Sequence, residues 1–268
     1  ERALSYCAES EGAFDITVGP AVRLWNFHEG TVPDDGALAE AVRHVDWHAL
    51  RLWKTPAVTA AESDADAATE AMPGFETVPK PKTCFAQLAD PDAAVDAGGI
   101  AKGWIADALV AAMEAHGLSG TIVNLGGNVA VMGGKPDGAP WRVGVRRPLP
   151  SSSMPLLDSF AVLALRDGSA VTSGIYERAF EQDGKLYHHI LDPRTGFPAE
   201  TDLLSATVVA QSSLDADGYT TALIMMGADR ALAFAEQHPA LEAVLVTTEG
   251  DVLATSGIGD RVLFELLG

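Results

Sequence analysis

The chain has 268 residues, a formal net charge of −19 and 47% apolar residues. It is long enough to bury a sizeable core, and it has no apolar run long enough to cross a bilayer. The acidic balance argues against nucleic acid as a partner, because phosphate backbones are held by basic patches. A small anionic ligand stays open, since a local metal ion or a helix N-terminus can hold one.

Arg2–Glu9 reads as a helix tail that stops at Gly12. The segment Phe14-Asp15-Ile16-Thr17-Val18-Gly19-Pro20 follows, and Asp34–Val45 reads as a short helix with Asp34 near its N-terminus. From Lys54 to Lys82 the chain is rich in Ala, Asp, Glu and Pro without clear periodicity, which predicts a surface excursion over 54–82 with room for a short helix at Ala60–Ala71. Lys102–His116 is predicted helical: Ile105, Leu109, Ala112 and Met113 recur at helical spacing, and Gly117 suits the position after the helix.

Strands are predicted at Thr121–Leu125, Val129–Met132, Trp141–Val145 and Phe160–Leu165. Phe180 and Tyr187-His188-His189 flank an Asp183-Gly184 turn and read as a hairpin. Leu204–Ala210 is a strand, Asp215–Met226 and Ala228–Gln237 are helices, and Ala243–Thr247 with Val252–Thr255 form a second hairpin. Interleaving of this kind gives an α/β (α+β) class, layered mixed β-sheets with interleaved helices. Cys7 and Cys84 fit no metal spacing, and pairing between them is the lesser alternative.

Three glycine-bearing loops follow strand-like segments: Gly98-Gly99, Gly126-Gly127 and Ser173-Gly174. Each is a tight turn or a place where backbone N–H groups meet an anion. Gly99 stands just before the helix carrying Lys102, a pairing that suits phosphate. Neither the P-loop nor the dinucleotide G-x-G-x-x-G pattern is present. Asp217 and Thr221 are four apart on one helix face; both are oxygen donors of the kind Mg²⁺ takes, although Asp217 alone could simply complement the helix dipole. His188 and His189 must point to opposite faces of a strand, so only one can serve a given cleft as a general base. Asp15 and Asp96 fit either a cleft lining or a cap on backbone N–H groups. Trp25, Trp104 and Trp141 read as core or rim rather than as ring platforms.

In order along the chain, six blocks resemble the FAD:protein FMN transferase (ApbE) family. They are Phe14–Pro20, Asp96–Gly103 (DAGGIAKG), Asn124–Asn128 (NLGGN), Thr172–Arg178 (TSGIYER), His189–Gly196 (HILDPRTG) and Ala216–Leu223 (ADGYTTAL). The resemblance implies one flavin-transferase domain over 1–268, acting on FAD as substrate and an acceptor flavoprotein as partner. It implies Mg²⁺ held by Asp217, Thr221 and the carbonyl of Gly99. It implies pyrophosphate and ribityl contacts from Lys102, Gly98 and Gly99, flavin-nucleotide contacts from Asn124, Ser173 and Gly174, and His189 as acceptor of the hydroxyl proton. The implied reaction moves FMN onto a Thr or Ser and releases AMP. An FAD pyrophosphatase and a non-catalytic flavin-binding protein are the alternatives.

Ile16 stands where the family often has Pro, and Gly218-Tyr219 where it often has Ala-Leu. Family members also carry a strand, a helix and an Asn-containing segment ahead of the point where this sequence begins, so the domain is expected to be shortened at its N-terminus. An extracytoplasmic, membrane-associated location is the expectation by analogy, with a cytoplasmic one as the alternative. The oligomeric state is not legible.

Overall fold

The computed structural model describes residues 1–54, 84–148 and 159–267. The excursion expected over 54–82, with its helix at Ala60–Ala71, lies outside the described residues apart from Lys54.

The chain opens with helices α1 (Arg2–Glu9), α2 (Gly19–Val22) and α3 (Asp35–Ala41), and two 3-10 turns continue to Ala49. The Asp34 carboxylate accepts from the Gly36 and Ala37 amides and so caps α3, where its sequence position suggested it would. Strands β1 (Leu50–Lys54) and β2 (Cys84–Leu88) pair antiparallel, with Lys54 opposite Cys84. Neither strand was legible beforehand, because Leu50–Lys54 shows no clean alternation and much of it is exposed. Cys7 is buried, Cys84 is exposed, and no disulfide joins them.

Next come α4 (Ala101–Ala115), β3 (Thr121–Asn124), β4 (Asn128–Met132), β5 (Trp141–Arg146), β6 (Ser159–Leu165) and β7 (Gly168–Gly174). The hairpin β8 (Ala179–Gln182) and β9 (Lys185–His188) turns at Asp183 and Gly184, both with positive φ, which matches the twist of the two strands. Then follow β10 (Leu203–Ala210), α5 (Ser213–Met226), α6 (Ala228–Gln237), β11 (Leu241–Thr247), β12 (Val252–Ala254) and β13 (Leu263–Leu266).

The six-stranded sheet has the order β12-β11-β10-β7-β4-β3, and β13-β6-β5 form a three-stranded sheet; the ladder pairs in both are antiparallel. Alternation along the central strands assigns each residue to one of two cores. Ala206, Val208 and Ala210 of β10, with Ala243 and Leu245 of β11, join the core beneath the helices. Val209, Val244 and Val246 join the other, where the three-stranded sheet contributes Val143, Val145, Phe160 and Leu163. The molecule is therefore a helical layer, a six-stranded sheet and a smaller sheet. A separate apolar cluster, Ala21, Trp25, Leu38, Ala41 and Leu191, joins α2 and α3 to the β8–β9 hairpin.

Helix α5 is buried on nearly every side: Ala216, Asp217, Gly218, Tyr219, Thr220, Ala222, Leu223 and Ile224 are all inside. A Cβ at Gly218 would stand 2.6 Å from the Tyr6 ring, so glycine there lets α1 lie against α5. Tyr6 and Tyr219 then meet edge to face at 5.0 Å. This accounts for Gly218-Tyr219 as a matched pair with Tyr6.

Helix α4 does not bury its largest apolar side chains. Ile105 and Leu109 are exposed, as is Trp104 at 63%, while Gly103 and Ala106 are buried and Val110 and Met113 pack toward Val123 and Ala130. The rotation is set by polar anchors. Asp107 accepts hydrogen bonds from Ser212 Oγ (2.8 Å), Ser213 N (2.7 Å) and Leu214 N (3.0 Å), which caps the N-terminus of α5 from a neighbouring helix. That holds the Gly103–Ala106–Asp107–Val110 face inward.

Candidate active site

Asp217 is 2% exposed, and its Oδ2 accepts the Gly103 N–H at 2.8 Å. A Cβ at Gly103 would lie 2.7 Å from Leu214 Cα and 2.8 Å from Asp217 Cβ, so glycine is what lets the first turn of α4 reach α5. Burial pushes the Asp217 carboxyl pKa up, while the Gly103 amide, Lys102 and the Asn128 amide pull it back. Thr221 is one turn further along α5, and Gly99 stands beside its hydroxyl: a Cβ at Gly99 would be 3.4 Å from Thr221 Oγ1. Thr220 points elsewhere, donating to Asp217 O and sharing a hydrogen bond with Ser173 Oγ, both at 2.8 Å.

These groups face one cleft of about 380 Å³. Asp217, Thr221, Gly98, Gly99, Lys102, Ser173 and His189 all line it, with Glu177 and Arg178 from the segment after β7. Asp15 and Asp96 line it too, and each also caps backbone: Asp15 Oδ1 accepts from Thr17 N at 2.7 Å, Asp96 Oδ1 from Gly98 N at 2.6 Å. The apolar lining is Val18, Val22, Trp25, Phe27, Ile190 and Leu191, while the Phe14 ring lies against Gly99 at the polar end. Trp25 and Phe27 stack at 5.2 Å with planes 5° apart, and Trp25 Nε1 donates to the Gly196 carbonyl at 2.9 Å. Trp25 is thus both buried core and cleft wall, whereas Trp104 lies on the exposed side of α4.

His188 and His189 separate as alternation requires. His188 is buried with Nε2 on the Ala199 carbonyl at 3.2 Å, while His189 faces the cleft. The His189 pKa is lowered to about 4, first by burial, then by Arg178, His188 and Lys102. It is neutral near pH 7, and its Nδ1 is buried without a hydrogen-bond partner among the described residues.

Two residues singled out from the sequence stand apart. Asn124 lines an adjoining cleft of about 260 Å³ between the two sheets, which meets the first at Glu177. Gly174 lines neither cleft; a Cβ there would collide with the Tyr176 ring, so its smallness serves packing. An open groove of about 530 Å³ at the start of α6 holds none of the singled-out residues and is wide open to water. His44, Asp90 and Asp92 also gather, but His44 Nδ1 is already paired with Asp90 Oδ2 at 2.7 Å and Asp90 Oδ1 accepts from Asp92 N.

The carboxylate of Asp217 and the hydroxyl of Thr221 are oxygen donors of the kind a hard divalent cation takes. A buried carboxylate raised in pKa, with one backbone amide bonded to it, is the kind of group that a cation would satisfy. Fold and site together define a layered α/β protein whose cleft joins a polar, cation-type end to an aromatic end. Residues 1–245 match the model of the ApbE family. The chain belongs to the ApbE family.

It is 38% identical to the FAD:protein FMN transferase of Treponema pallidum, over 98% of this chain and 68% of that protein. It is 34% identical to one from Klebsiella pneumoniae, over 92% and 67%. The chain thus spans about two thirds of the length of these relatives. Among solved structures, the ApbE protein of Thermotoga maritima superposes with a TM-score of 0.74 at 28% identity, covering 95% of this chain and 74% of that one. The flavin transferase ApbE of Vibrio cholerae gives 0.72 at 29%, covering 95% and 72%.

Proposed function

We propose that this chain transfers the FMN half of FAD to a Thr or Ser hydroxyl of an acceptor flavoprotein and releases AMP, with Mg²⁺ as its cation. The supporting observation is the convergence of Asp217, Thr221, Gly99, Lys102 and His189 on one cleft, from three segments far apart in sequence. The relatives named as FAD:protein FMN transferases supply the substrate pair.

Neutral His189 takes the proton of the acceptor hydroxyl as its oxygen attacks the FMN-side phosphorus. The bond between that phosphorus and the bridging oxygen breaks, and AMP leaves with the electron pair. Lys102, in the first turn of α4, places a cation beside the diphosphate, where charge grows on the leaving group. Asp217, Thr221 and the Gly99 carbonyl would hold Mg²⁺, which when bound supplies Lewis-acid stabilisation of the phosphate oxygens. Trp25 and Phe27 give the cleft an aromatic wall for one ring system of the dinucleotide.

Incubation of the chain with FAD, Mg²⁺ and an acceptor flavoprotein tests the reading. A yellow acceptor band that keeps its fluorescence after denaturation is expected. Free FMN and AMP with no labelled acceptor would replace transfer by hydrolysis. FAD binding without either product would leave a flavin-binding protein.

A further inference from the structure

The cleft of about 260 Å³ beside the candidate active site runs along a strand edge. Strand β5 ends the order β13-β6-β5, and β3 ends the six-stranded order, so each is paired on one side only among the described residues. Five successive residues of β5, 142–146, line this cleft, with Ile122 and Asn124 of β3 across from them. Neighbouring side chains of a strand point to opposite faces, so five in a row meet one cavity only where it follows the edge of the backbone. An edge of this kind offers N–H and C=O groups to an extended chain laid beside it.

The cleft also carries charge. Arg146 is half-buried in its wall, and among the described residues its guanidinium makes no hydrogen bond or ion pair. Arg142, by contrast, is paired with Glu265 at 2.8 Å. In a chain of net charge −19, a half-buried arginine left without such a partner suits a carboxylate brought from outside. Arg146 lies within electrostatic reach of Glu177, which lines both clefts, so this end of β5 is the one nearest the junction with the cleft that holds His189.

We propose that the second cleft is the docking channel for the acceptor protein: an extended acceptor segment pairs along the edge of β5, an acidic residue of that segment meets Arg146, and its Thr or Ser passes the Glu177 junction into the neighbouring cleft. Main-chain pairing supplies affinity with little regard to sequence, and Arg146 supplies selection. The inference rests on the transferase reading.

The test is hydrogen exchange of the full chain read by mass spectrometry. The chain alone is compared with the chain plus FAD and Mg²⁺, the chain plus an unlabelled acceptor flavoprotein, and the chain with all three. Slower exchange across 141–146 is expected on adding the acceptor and not on adding FAD and Mg²⁺. Protection there by FAD and Mg²⁺ alone would assign the cleft to the nucleotide and overturn the proposal. An acceptor that becomes flavin-labelled without protecting these amides overturns it too. In steady-state transfer, Arg146→Glu should raise the KM for acceptor roughly tenfold or more and leave that for FAD unchanged, with Arg146→Lys in between. A rise in both KM values, or in neither, contradicts the role of Arg146. Wild type that labels no acceptor overturns the transferase reading itself, a separate result that takes this proposal with it.

Discussion

His188 and His189 adjoin at the end of β9 and face opposite ways, one onto the Ala199 carbonyl and one into the cleft. Period-two alternation made that split legible from sequence; which of the two faces the cleft rested on the family resemblance. What neither could supply was the environment that lowers the His189 pKa to about 4. The unfolded chain takes up this proton near 6.5 and the folded one only near 4, so stability from neutral His189 is full above 6.5 and falls as the pH drops toward 4. Urea denaturation across that window should show a shallower fall for His189→Gln than for wild type. The pH profile of kcat/KM should lack a basic-group limb at 6.5 and show one nearer 4. A limb at 6.5 that His189→Gln abolishes would contradict the assignment. Helix spacing put Asp217 and Thr221 on one face and a glycine turn ahead of Lys102, but their assignment as ligands rested on the family resemblance. Asp107 was not legible, because its role arises from contacts about a hundred positions away.

At the scale of elements, the helix and strand pattern was readable wherever periodicity was strong, and α6 spans the residues expected of it. Apolar spacing marked α4 as a helix without fixing which face it buries. Ile105 and Leu109 keep helical spacing yet face outward, since Asp107 and Gly103 bind α5 and fix the rotation. The same contact sets the register between the lysine-bearing turn and Asp217. Gly103→Ala should therefore push α4 away from α5, costing about 1–3 kcal/mol by overpacking. It should lower metal affinity more than the same loss of stability caused by a substitution in the three-stranded sheet. Equal metal binding in Gly103→Ala and wild type, by a Mn²⁺ titration, would argue against that coupling.

Across the whole molecule, the layered class followed from interleaved elements, but the sheet order did not. Strands β7, β10 and β11 are buried on both faces, so their sequences carry nearly continuous apolar or small residues and little alternation to read. The order β12-β11-β10-β7-β4-β3 comes from pairings between segments distant in sequence. Two cores flank one sheet, so Leu245→Ala on the helix side and Leu163→Ala on the other should each cost about 2–5 kcal/mol in a chemical denaturation experiment. A near-zero cost for either would mean that its layer is not integral to the domain. The net charge of −19 likewise does not locate the site, whose lining combines Lys102 and Arg178 with the carboxylates of Asp15, Asp96, Glu177 and Asp217. The most direct test of the account is a crystal of the chain grown with FAD and Mn²⁺ and measured at the manganese edge. An anomalous peak within coordinating distance of both Asp217 and Thr221, touching the FAD diphosphate, is the expected result. A diphosphate bound elsewhere, or a peak away from these two side chains, would contradict it.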